Sequence, residues 1–260
     1  MKTAAPVKRG FTLIELLVVM GIIGLLVMLL MPVVNYAIVV AQGVATSNAI
    51  KRIEAGLAGF RGDFGAYPPS DDQHEILTGM ATGENARGYK NLALSMGGPS
   101  GTGWGTGSDP NKMPFGTNPG AEKFGPYVEG GSTASIDDAF KPAMPILYFR
   151  YEQSGDPEAT VPANAVYDFT DNQATDLTKG EDGFTSQGNL MMLLRRQGTY
   201  QYVRRDYVLI SAGPDRVFGY RADPDGDGVY TFVNSSMRLV AADYTGAYCD
   251  DLANFKYEQY

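Results

Sequence analysis

Residues 16–34 contain no charged side chain, and this run constrains the chain more than any other feature. Formed as an α-helix, it reaches across the roughly 30 Å hydrocarbon core of a bilayer, where only a helix or a closed barrel satisfies its own backbone. Lys2, Lys8 and Arg9 precede it, and residues 1–10 hold no acid. The positive-inside tendency therefore predicts one span with a cytoplasmic N-terminus and an exterior body. Three of the 21 Lys and Arg residues lie in those first ten positions, which leaves 18 basic against 29 acidic groups beyond them. An acidic body lacks the clustered cations that neutralise phosphates, so no nucleic-acid partner is expected. A removable secretory signal is the competing reading. Its apolar stretch should be shorter and end at a small-residue cleavage site, whereas Pro32, Val33 and Val34 run on into a further helical pattern.

Past the span, Ile50, Ile53, Leu57, Phe60 and Phe64 recur at alternating steps of three and four, which marks one face of an amphipathic helix. The pattern predicts one nearly continuous helix over residues 11–64, transmembrane over 11–34 and amphipathic over 35–64. Pro32 lacks an amide hydrogen and crowds the preceding turn, so a kink or local melting is expected there. Gly65, followed by Tyr67, Pro68 and Pro69, should end the helix. Aromatic and branched residues gather at 146–151, 200–211 and 229–233, which predicts a small antiparallel sheet. The expected fold class is α+β: a long N-terminal helix packed through Ile53, Leu57 and Phe60 on that sheet, with extended loops. The Gly-rich stretch near residues 84–121 is expected to be an irregular surface loop.

Asp223, Asp225 and Asp227 alternate along a turn that closes on Gly228. Calcium takes six to eight oxygen ligands, and D-x-D-x-D-G spacing supplies several while the backbone curls around the ion. Counted from Asp223, the twelfth position is Asn234 rather than the bidentate glutamate of an EF-hand, so further ligands must come from elsewhere. Asp215, Asp250 and Asp251 are the candidates, and an acidic solvated turn is the alternative. His74 and Cys249 are the only residues of their types, which leaves no internal disulfide, hydrolytic triad or histidine-rich zinc site. Paired carboxylates for glycoside hydrolysis stay open. Trp104, in its Gly-rich surroundings, reads either as a packing residue or as a sugar-stacking one.

The junction Lys8-Arg9-Gly10-Phe11-Thr12-Leu13-Ile14-Glu15-Leu16-Leu17 resembles the processing site of type IV pilins and type II secretion pseudopilins. The resemblance implies a pilin fold, cleavage after Gly10 by a prepilin peptidase, and methylation of the new N-terminal Phe11. Glu15 stands at the family's acidic position, and Pro32 falls where many members carry a helix-breaking proline. A carboxylate at the rim of an apolar segment is costly. The resemblance supplies a partner in the free amine of Phe11, on the same or a neighbouring subunit; snorkelling to the headgroups is the alternative. Weaker likenesses follow in order along the chain and resemble the major pseudopilin more than an adhesive pilin: residues 60–69, 124–128, 138–151, 207–215 and 250–255. Phe140 stands where that family usually has tryptophan. The family holds calcium in the loop between the last two elements, which makes Asp215, Asp250 and Asp251 donors by resemblance. The chain departs from it in length, with extra material near residues 84–121, 153–196 and 218–249.

The resulting expectation is a 1–10 leader, an 11–34 transmembrane segment, a 35–64 amphipathic continuation and a 65–260 head with insertions. Its function would be that of a structural subunit, not an enzyme, in a type II secretion pseudopilus. The anchor would be the inner membrane and the head periplasmic or in a surface filament. Partners would be prepilin peptidase, other copies of the chain, minor pseudopilins and an inner-membrane assembly platform. A minor type IV pilin or adhesin, or a membrane-tethered enzyme or calcium-binding ectodomain, remains open. Intact-mass analysis of membranes should find a chain beginning at methylated Phe11 only in cells that contain the peptidase. An uncut N-terminus in both strains would reject the processing scheme.

Overall fold

A computed structural model describes residues 12–70, 88–98, 101, 103–105, 123–128, 135–153, 155, 166–168, 171–172, 194, 205–214, 218 and 252–254. One helix dominates the order of elements. Helix α1 (Leu13–Phe64) is followed by α2 (Tyr89–Gly97) and by strands β1 (Trp104–Gly105), β2 (Lys123–Phe124), β3 (Leu147–Arg150), β4 (Tyr207–Ser211) and β5 (Leu252–Ala253). The chain divides into two compact units, Met1–Gln42 and Gly43–Tyr260.

In the first unit the described residues are helical from Leu13 onward, and their large apolar side chains are exposed. Pro32 lies inside α1 and does not interrupt it, so the local melting expected there is absent. Proline removes a single i→i−4 bond, and the intact ladder on both sides carries the helix past it.

In the second unit α1 changes character. Thr46, Ala49, Ile50, Ile53, Gly56, Leu57 and Phe60 are buried, at the three- and four-residue steps that put them on one face. That face packs with Ile146, Tyr148 and Leu209 from the sheet region and with Leu92 and Met96 of α2. Strands β3, β4 and β5 form an antiparallel sheet in that order, with Tyr148 opposite Leu209 and Ile210 opposite Ala253. Side chains alternate across a strand, so Tyr148 and Leu209 share the face toward α1 while Leu147, Phe149, Val208 and Ile210 take the other. All six are fully buried, which means that the sheet is covered on both sides. The long helix with its small antiparallel sheet is an α+β arrangement consistent with a pilin-like fold. Strand positions 229–233 lie outside the described residues, as do 200–204 of the strand expected over 200–211.

Buried hydroxyls and amides fasten the layers. Tyr148 donates to the Pro68 carbonyl at 2.6 Å, tying the sheet to the turn after α1, and burial pushes its hydroxyl pKa well above the usual tyrosine range. Asp138 accepts from Ser211 Oγ at 2.8 Å and from the Met144 amide at 3.1 Å, while the Ala139 amide donates to Thr46 Oγ1 on α1. Asn254 accepts from the Leu209 amide at 3.0 Å and donates its own amide back to the Leu209 carbonyl, which extends the β4–β5 pairing by a side chain. Helix α1 ends where Gly65, at φ +77°, returns its amide to the Arg61 carbonyl, a conformation that costs a side-chain-bearing residue more.

Residues 88–98, inside the stretch expected to be an irregular surface loop, instead form a buried helix. In α2 every residue except Lys90 is buried, and Gly98 closes it by donating to the Leu94 carbonyl. In these nine residues the polar Asn91 and Ser95 are buried along with the apolar ones, so polarity does not mark a solvent face, and a helix so short shows little propensity of its own. Leu57→Ala should lower unfolding stability of the detergent-solubilised chain by about 2–5 kcal/mol, because the side chain is fully buried and the site is held on several sides. Lys51→Ala, on the exposed face, should leave it unchanged; chemical denaturation of both variants reads the difference.

Candidate functional site: the capped start of the apolar helix

The functional candidates that the structure describes lie at the beginning of α1. Thr12 is its N-cap: its carbonyl accepts from the Leu16 amide at 3.3 Å. The Glu15 amide donates to Thr12 Oγ1 at 3.3 Å, and Glu15 Oε2 accepts from the Thr12 amide at 2.8 Å and from its hydroxyl at 2.7 Å. This is a reciprocal capping box, in which cap and third helical residue each satisfy a backbone donor that the helix leaves open. The T-x-x-E spacing was present in the sequence, yet Glu15 was read there only for its charge. In the structure the carboxylate has a second task, since it fixes where the helix begins. Both residues lie downstream of the Gly10–Phe11 bond, so cleavage there would leave the box in the shortened chain. Gly10 and Phe11 themselves lie outside the described residues.

From Glu15 the next charged residue is Lys51, and the first polar side chain on the way is Asn35. At the helical rise, Asn35 stands about 30 Å beyond Glu15, close to the thickness of a hydrocarbon core. Tyr36, 73% exposed, follows it at the position where aromatic rings favour a membrane–water interface. Helix α1 is long and apolar enough to cross a membrane, and none of its most apolar window is buried. The apolar surface does not stop with that span: Ile38, Val39, Val40 and Val44 are also exposed.

At the other end of α1, aromatic rings close around the helix. Phe60 and Phe64 meet Tyr127, whose hydroxyl donates to Asp63 at 2.6 Å; burial, then this bond, raises its pKa above the usual tyrosine value. Gly56 and Gly59 make the approach possible, because a Cβ on Gly56 would come within 2.9 Å of Met96 Sδ and one on Gly59 within 3.1 Å of the Tyr127 ring. Arg61 reaches Tyr67 and Asp206 at 3.0 and 3.1 Å and lies over the Tyr67 ring. Trp104 is buried and donates its indole N–H to the Ser95 carbonyl at 3.0 Å, packing with Leu94 and Phe124. It is a core residue in this structure, and the sugar-stacking reading is set aside. Phe140, at the tryptophan position of the resemblance, is likewise buried.

The expected calcium ligands Asp215, Asp223, Asp225, Asp227, Asp250 and Asp251 all lie outside the described residues, as do His74 and Cys249. Among the described residues no three His, Cys, Asp or Glu side chains gather closely enough to hold a metal ion.

The box yields a direct test. In detergent, Thr12→Val should speed hydrogen exchange at the Glu15 amide roughly fivefold, the size expected for loss of one N-cap, while Thr12→Ser should keep the original protection. Equal exchange in all three chains would mean that the cap does not set the helix start.

A family model described as the prokaryotic N-terminal methylation motif matches residues 6–31. The matched segment contains the Gly10–Phe11 junction, the Thr12–Glu15 box and the greater part of the span. Neither the curated proteins nor the solved structures gave a match. Proteins carrying this motif are structural subunits processed by prepilin peptidase and assembled into filaments. Its match here indicates a type IV pilin-like prepilin leader in the N-terminal segment, and the helix that follows is long and apolar enough to cross a membrane.

Proposed function

We propose that this protein is a structural subunit of a type II secretion pseudopilus. Prepilin peptidase would cut the Gly10–Phe11 bond and methylate Phe11. The subunit would wait in the inner membrane with its N-terminus cytoplasmic and its head in the periplasm. An inner-membrane assembly platform, with minor pseudopilins and a cytoplasmic ATPase, would then add it to a filament whose growth drives protein export. The observation that carries this reading is the methylation motif set on a helix whose apolar surface is exposed from Leu13 to Val44. Such a surface is stable in lipid or against other helices and costly in water. The preference for type II secretion rests on the order of the head elements and on their resemblance to the major pseudopilin.

Glu15 would have two successive partners in this scheme. Within one subunit it is held by Thr12; in the filament the free amine of Phe11 on a neighbouring copy would neutralise it and set the register of docking. Glu15→Ala should therefore leave cleavage and membrane insertion intact while abolishing sheared filaments and secretion. A variant that assembles and secretes normally would show that Glu15 sets no docking register.

We also propose that Asp223, Asp225 and Asp227 hold a calcium ion, with Asp215, Asp250 and Asp251 as further donors. The support is the D-x-D-x-D-G spacing, and the role is structural, neutralising clustered carboxylates so that a long loop orders. Calcium should raise the thermal midpoint of the detergent-solubilised chain, chelator should reverse the rise, and Asp225→Ala should remove it. A midpoint indifferent to calcium would leave the segment an acidic turn.

A further inference from the structure

We draw no further inference here: the strongest candidate, the exposed aliphatic surface of α1 at Ile38, Val39, Val40 and Val44 beyond a bilayer-length span, carries nothing more, because nothing in the structure shows what covers it apart from the helix contacts already proposed.

Discussion

The head depends on one line of side chains along α1. Ile50, Ile53, Leu57 and Phe60 form the surface on which Tyr148, Leu209, Leu92 and Met96 pack, so sheet and second helix share a single apolar support. Hydrophobic burial is non-directional, and by itself it would allow these layers to slide. The buried polar links remove that freedom: Tyr148 to Pro68, the Ala139 amide to Thr46, and Asp138 to Ser211 each join an element to another far away in sequence. A buried polar group left without its partner is expensive, so these bonds specify a register more than they add stability.

The same helix answers to a different solvent over its first part. There the apolar residues surround the axis and remain exposed, a distribution suited to lipid or to other helices, whereas the second part has the single stripe of a helix on a water-soluble core. Chemistry also marks the start of the apolar stretch. Glu15 is the only charged residue between Arg9 and Lys51, and its carboxylate closes the capping box instead of standing unsatisfied at the edge of the span. A group that would be a liability in lipid thus gains a local structural role, which makes Thr12 as much a part of the site as Glu15.

Much of this was legible in the amino-acid order. The span, the switch to a stripe at Ile50, the stop at Gly65 and strands near 147–150 and 207–211 all follow from periodicity and residue type, because those signals are local. Other features misled. Pro32 looked like a breaker but removes only one bond from a ladder secured on both sides. The 89–97 segment looked like loop because it adjoins a Gly-rich run, yet it is a short helix that buries even its polar Asn91 and Ser95. For Trp104 the packing reading holds over the sugar-stacking one: its sequence neighbours are glycines, but its spatial neighbours are Leu94, Phe124 and the Ser95 carbonyl.

The sequence by itself determined the long helix, its two solvents, the processing motif and the residue types at the site, since each is written within a few turns of chain. Only the tertiary structure decided that α2 and Trp104 belong to the core, that the Ala139 amide ties to Thr46 on α1, and that Tyr148 and Asp138 bond the Pro68 carbonyl and Ser211. Those outcomes depend on which distant groups meet once water is excluded, and spacing along the chain does not encode distance across it.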